Sequence, residues 1–321
     1  TETLERRIRS ITDAERRIWV DVGFRPGGYS KALNQHSSEH SAFLARQAAA
    51  AERAALLSRP LEASLDLLYV ANAAPFERFK QVVAPDEDLL QRALDSAKVK
   101  TRELAEMLFQ HYDIAAGVHV ASGAIVSEIT REVQDLRSNL LVCGAKGQSR
   151  VRHLILGSTV QRVLSRMLCP TLVVKQPPRS EYQTLLVPVD FSPSSRRAIE
   201  MAKAIAPQAE IILLHVFESP FESSMRLANV DTETLNRYRN EIRKDAIDQL
   251  AALSQATGLG NARQIVVQGD PAWQIIEQEQ ELECDLIVVG KQGESALEAL
   301  LIGSITKYVL SESKCDVLVT L

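Results

Sequence analysis

Leu286-Ile287-Val288-Val289 runs into Gly290-Lys291-Gln292-Gly293, and nine residues further on come Gly303-Ser304 and then Val317-Leu318-Val319. Two apolar runs of strand length bracket a loop and an amphipathic segment, which is the spacing of strand, loop, helix and strand. Glycines at such a turn let backbone N–H groups approach an anion, and the start of the following helix adds its partial positive charge. The stretch therefore reads as a phosphate cradle at the edge of an α/β sheet. The plainer reading makes the glycines ordinary turn residues and Ser304 a helix cap.

The pattern occurs twice. At an offset of 146 residues Leu67-Leu68-Tyr69-Val70 matches Leu213-Leu214-His215-Val216, and Gly123 matches Gly269. Gly144, Gly147, Gly157, Ser158 and Cys169 match Gly290, Gly293, Gly303, Ser304 and Cys315 at the same offset. A period this long is a duplicated domain, because solenoid repeats run to about 20 to 50 residues. The 321 residues suit two cores of ordinary size. We place the domains at 1–178 and 179–321, joined through Gln176-Pro177-Pro178-Arg179-Ser180.

The second copy is the cleaner one. Its expected strands are Leu185–Asp190, Ile211–Val216, Val266-Val267, Leu286–Val289 and Val317–Val319, with helices over Arg196–Ala206, Asp231–Thr257 and Ile305–Leu310. Gly269-Asp270-Pro271 opens a further helix, with Asp as N-cap and Pro at the first position. Continuously apolar strands alternating with helices argue a parallel sheet covered on both faces. Ligands of such sheets bind beyond the C-terminal strand ends, where the strand order reverses. Asp190 and Gly290 end the first and fourth strands, so they are expected to face one crevice.

In the first copy the expected strands are Ile18–Asp21, Ser64–Val70, Val118–Gly123, Asn139–Gly144 and Thr171–Lys175, with helices over Glu39–Leu57 and Asp86–His111. A helical segment is expected before the first strand. Equating Asp21 with Asp190 gives this half an insertion of 23 residues around Phe24-Arg25-Pro26-Gly27-Gly28-Tyr29. That Pro/Gly cluster would close over the first site or plug it.

Composition excludes several classes. Apolar content of 45% and charged content of 24% are those of an average globular protein, without a membrane-length run. Thr1–Ser10 is charged and lacks the apolar core of a secretion signal, so a cytoplasmic location is expected. Cys143, Cys169, Cys284 and Cys315 have no metal-ligand spacing and read as buried thiols. Net charge is −4, with 25 Lys+Arg against 20 Asp+Glu over 1–180 and 12 against 21 over 181–321. That asymmetry favours docking of the halves and gives no basic face for nucleic acid. His36, His40, His111 and His119 have no evident partners, and His215 reads as packing. Lys146, Arg150 and His153 read as a solvated face, and Glu281, Glu283 and Asp285 as solvated residues ahead of a strand.

G-x-x-G, nine residues and G-S, with an Asp ending the first strand, resembles the ATP-binding branch of the universal stress protein family. The resemblance covers about Tyr182–Leu321 and Glu39–Lys175, so the chain looks like a tandem form. It implies, for each half, a five-stranded sheet of the adenine nucleotide alpha hydrolase-like kind, strand order 3-2-1-4-5, with the halves paired through their fifth strands. It implies adenine nucleotide at Asp190, Val216, Gly290, Gly293, Gly303, Ser304 and Ile305, and in the first half at Gly144, Gly147, Gly157, Ser158 and Thr159. ATP is the expected cofactor, with Mg2+ an open addition.

The function expected from this is an ATP-binding stress-response regulator with a protein partner, without a membrane or nucleic-acid role, and with room for a homodimer. Slow ATP hydrolysis or self-phosphorylation at Ser304 is the enzymatic alternative, although no G-x-x-x-x-G-K-S/T sequence is present. An interaction scaffold with vestigial sites is the third reading.

Overall fold

A computed structural model describes residues 16–21, 37–74, 76–78, 89–135, 137–145, 157–292 and 302–321. The side chains of 37–47 and of Ser223 are not described. The chain divides into two compact units, Thr1–Glu181 and Tyr182–Leu321.

The described part of the first unit runs β1 (Arg16–Asp21), α1 (Ser37–Ser58), β2 (Ala63–Asn72), α2 (Leu89–Tyr112), β3 (Ala116–Gly123), α3 (Ile125–Asp135), β4 (Leu140–Gly144), α4 (Ser158–Ser165) and β5 (Thr171–Val174). The second runs β6 (Thr184–Pro188), α5 (Pro193–Ile205), β7 (Glu210–Phe217), α6 (Glu222–Leu227), α7 (Thr232–Ala256), β8 (Arg263–Gln268), α8 (Pro271–Glu281), β9 (Leu286–Gly290), α9 (Ser304–Glu312) and β10 (Asp316–Thr320). All strand pairs within a unit are parallel, in the order β3-β2-β1-β4-β5 and β8-β7-β6-β9-β10. Each is the expected 3-2-1-4-5.

The strands pair because they have nothing polar to keep in water. Leu67–Ala71, Leu140–Cys143, Leu185–Val187, Leu286–Val289 and Val317–Val319 are all buried, and each such side chain contributes about 1.5–3 kcal/mol on leaving water. Helix starts follow local chemistry. The side chains of Ser192, Asp231 and Asp270 accept backbone N–H groups at the starts of α5, α7 and α8, and Pro193 and Pro271 take the first helical position. The short α6 was not expected from the sequence; Glu222 fastens it by ion pairs to Arg226 and Arg239.

The repeated Gly123 and Gly269 have one cause. Gly123 ends β3 and Gly269 directly follows β8, at φ +154° and +152°, and a Cβ there would meet Glu128 at 2.9 Å or Gln274 at 3.1 Å. The four cysteines are buried free thiols, as expected. Asp285 is exposed, in keeping with its reading as a solvated residue ahead of a strand, and its Oδ2 also accepts the N–H groups of Gln183 at 2.8 Å and Thr184 at 3.0 Å at the start of β6. The N-terminal helical segment and the Pro/Gly cluster at 24–29 lie outside the described residues.

Candidate functional site

β9 carries Gly290 to the C-terminal end of its sheet, level with Thr320 of β10. The next residue, Lys291, donates its N–H to the Thr320 carbonyl at 2.7 Å, and its own carbonyl accepts the N–H of Gly303 at 2.9 Å. The backbone groups of one residue thus tie fourth strand, fifth strand and helix start together. The first half repeats the device at the same offset: Ala145 donates to Val174 at 2.8 Å and accepts from Gly157 at 3.1 Å. Gly290 with Gly303, and Gly144 with Gly157, are therefore brought together. Gly147, Gly293 and the cationic group Lys146, Arg150 and His153 lie outside the described residues. The second root carries one more clamp, since Thr306 donates its hydroxyl to the Gly290 carbonyl at 2.8 Å where the first half has buried Val160.

The helices that leave these roots begin without a side-chain cap. Gly303 is the N-cap of α9 and Gly157 that of α4, and neither helix start has a side-chain hydrogen bond; the short α6 is uncapped too. Ser304 is exposed, so the plainer reading of it as a cap is not realised. The first-turn N–H groups of α4 and α9 thus have no side-chain cap among the described residues, and uncapped helix starts are in general favourable places for an anion. Ser304 and Ile305 stand exposed at the start of α9, and Ser158 and Thr159 at that of α4 are exposed and half-buried.

Asp190 lies two residues beyond β6. Its Oδ1 accepts the Ser195 hydroxyl at 2.6 Å and the Ser192 N–H at 3.1 Å, and its N–H donates to Ser195 Oγ at 2.9 Å. Phe191, at φ +64°, turns the chain into α5 and rests on His215 with ring centroids 4.3 Å apart. His215 Nδ1 is 2.8 Å from the Val189 carbonyl, a packing role with one polar tether. The start of α5 abuts the glycine root: a Cβ on Gly290 would stand 2.8 Å from Ser194 Cβ. Acid and glycine therefore meet at one strand-end crevice. Val216 is half-buried on β7 beside Val267.

Two residues escaped the sequence reading. Lys291 is buried, and loss of water pulls its ammonium below the ordinary lysine range; a lysine directly after a strand-end glycine was the available signal. His119 does have partners: Nε2 lies 3.0 Å from Asp66 Oδ1, and its ring sits on Trp19 with centroids 4.6 Å apart.

The first half corrects the equation of Asp21 with Asp190. Asp21 pairs with Leu68, whereas Leu214, the counterpart of Leu68, pairs with Pro188. Asp21 is thus level with Pro188, two residues or about 6.6 Å short of Asp190's place. Residue 23, which is level with Asp190, lies outside the described residues. Asp21 is 47 residues before Leu68, and Pro188 is 26 before Leu214, so the extra length on this register is 21 residues and not 23.

This deeper position explains the acid's chemistry. Burial pushes its carboxyl up to about 6, and Oδ1 has no hydrogen-bond partner among the described residues. Burial, with Asp21 adding to it, also pushes the Tyr69 hydroxyl up to about 12 and the Cys143 thiol upward. Among the described residues no cluster of three or more His, Cys, Asp or Glu could hold a metal, and no helix is long and apolar enough to cross a membrane.

Comparison with known proteins matches the universal stress protein family to residues 43–175 and again to 181–320. Universal stress protein YxiE of Bacillus subtilis is 32% identical over 145 residues, 43% of this chain and 98% of that protein. The universal stress protein E homolog of Haemophilus influenzae is 24% identical over 199 residues, 59% of this chain and 64% of that one. Among solved structures, a universal stress protein of Pseudomonas aeruginosa UCBPP-PA14 aligns over 97% of this chain and 94% of its own at a TM-score of 0.62 and 18% identity, which is a likeness of fold.

Proposed function

The chain belongs to the universal stress protein family, as a tandem of two of its domains, and from that premise we propose that the second half binds an adenine nucleotide, ATP, as the signal of a cytoplasmic stress-response regulator. The phosphates would lie on the Gly290–Gly303 root and the first turn of α9, at Ser304 and Ile305, with Gly293 closing the loop. The base would lie toward Asp190 and Val216. A nucleotide supplies negative charge where the helix start presents unmet N–H donors, and Mg2+, where held, would come with the phosphates. The protein's own groups at this site would bind and orient the nucleotide.

The observation that carries this reading is the pair of uncapped helix starts tied to the strand-end glycines. The first half keeps the phosphate end at Gly144, Gly157, Ser158 and Thr159, with Gly147 its loop glycine, and has a buried acid one pleat too deep at the adenine end. It is proposed as the weaker site, with the boundary of the halves near 178–179. Mass spectrometry of small molecules released from the denatured full chain, followed by calorimetry with ATP, tests the reading. Adenine nucleotide in the first or a saturable heat in the second is expected; absence of both overturns it.

A further inference from the structure

α8 and α9 pack side by side on one face of the second sheet. Each leads from a strand end back to the start of the next parallel strand, so the two run in the same direction. Their inner stripes, Ile275, Gln278 and Glu279 on α8 and Thr306, Val309 and Leu310 on α9, are buried. The outer surface carries large apolar groups as well: Trp273 in the first turn of α8 is 57% exposed, and Ile305 and Tyr308 of α9 are each 40% exposed. At about 100° per residue Trp273 shares a stripe with Gln280. Gln280 accepts from the Lys314 ammonium, just beyond α9, at 3.3 Å, so that stripe leans toward α9. Because the helices run in the same direction on the same face, the flank of α9 that looks back at α8 is the opposite one, which carries Ile305, Tyr308 and Glu312. The three apolar groups thus line one shallow groove, open to water among the described residues.

The fold does not require them. α3 starts at Ile125 and α8 at Pro271, α4 at Ser158 and α9 at Ser304, so both helices keep the 146-residue offset, and at that offset the first half has Ser127, Thr159 and Arg162 in the three apolar places. Charge has changed on the same face. Glu277, Glu283 and Glu312 stand where the first half has Arg131, Arg137 and Arg166. Glu283 and Glu312 are exposed and Glu277 half-buried. Glu312 follows Tyr308 by one turn along the groove, and Glu283 lies just past the end of α8. Lys314 is the cation at that end, bonded to Gln280, and Lys307 falls on the other flank of α9. The groove is therefore apolar where the helices begin and acidic where they end.

We propose that this groove docks an amphipathic helix of a partner protein, one with apolar residues three or four apart and Lys or Arg one to three turns further along. The apolar residues would cover Trp273, Ile305 and Tyr308, and the cations would meet Glu312 and Glu283. An exposed indole and phenol on adjoining rigid helices are the residue types that anchor interfaces. The carboxylates select a basic helix and reject an acidic one or an anionic lipid surface, because like charges brought together repel. The proposal goes beyond the nucleotide reading and is tested without added nucleotide.

The chain has two tryptophans, and Trp19 is fully buried, so a change in emission on binding reports Trp273. The probe is a synthetic helical peptide of about five turns, with leucines three and four apart and lysines two turns on, and its twin with glutamates in place of the lysines. Titrated into the full chain, the lysine peptide should shift the emission to the blue, saturably, and bind at least tenfold more tightly than the twin. Glu283→Lys with Glu312→Lys should reverse that preference. Trp273→Ser with Tyr308→Arg, the residues of the first half, should abolish binding by calorimetry and leave the urea midpoint in place. Absence of binding overturns the proposal, as does equal binding of the twins or binding that survives the Trp273→Ser, Tyr308→Arg change. A blue shift that grows with protein concentration alone would assign the groove to a second copy and equally refute it.

Discussion

Replacing Gly290 by alanine sets a new methyl carbon 2.8 Å from Ser194 Cβ and 3.2 Å from the Gln292 carbonyl oxygen. Ordinary contact begins at 3.4 Å, so α5 must retreat by about 0.6 Å or the strand end must tilt, and overpacking of this kind costs about 1–3 kcal/mol. The first turn of α5 cannot yield alone, because Ser195 Oγ is bonded to both the N–H and Oδ1 of Asp190. The strain therefore reaches the proposed base end as well as the phosphate end. Gly303→Ala is the control: its nearest atoms stand 3.5 Å or more away and its φ is −58°, so only the poorer N-cap is felt, at about 0.5–1 kcal/mol. Urea unfolding of the full chain, followed by amide exchange in α5, compares the two variants. Gly290→Ala should lose at least twice the stability lost by Gly303→Ala, loosen α5, and come out of purification with less nucleotide than Gly144→Ala. Equal stability of the two variants, with α5 exchange unchanged, would refute the steric reasoning. Equal nucleotide loss from Gly290→Ala and Gly144→Ala would refute the ranking of the sites.

Asp21 gives a pH-dependent test in the first half. Its carboxyl rises from 3.8 to about 6 on folding, so its contribution is full below pH 4 and is lost as pH climbs through 6, a change of roughly 3 kcal/mol. Asp21→Asn should thus gain on the natural chain between pH 4.5 and 8 in denaturant melts, and a constant difference across that range would mean that the acid is solvated. In the second half Glu279 Oε1 accepts the N–H groups of Lys314 and Cys315, both at 2.7 Å, from a buried position. Glu279→Ala should cost about 2–4 kcal/mol; a loss under 0.5 kcal/mol, within the range of ordinary surface changes, would show that water replaces the carboxylate.

How far the site could be read in advance follows from how local its chemistry is. The two roots at Gly144/Gly157 and Gly290/Gly303 were legible because a strand-end glycine, a loop and a helix start are neighbours along the chain. The caps at Asp231 and Asp270 were legible for the same reason. Asp21 was not, because its level in the sheet is set by hydrogen bonds to β2, more than forty residues away, and a slip of two residues keeps the same face and leaves no trace in an apolar pattern. His119 and Asp66 were invisible as a pair since they meet only across a ladder.

By itself the sequence determined the duplicated α/β architecture, the strand order through its resemblance, and the glycine frame of the site, because apolar periodicity and turn chemistry are written residue by residue. Tertiary structure alone decided which acid stands at the crevice and which is sunk below it. It alone also decided that Lys291 is buried and that His119 meets Asp66 and Trp19 across the sheet. Those properties depend on register and on what packs across the sheet, which the order of residues along the chain does not express.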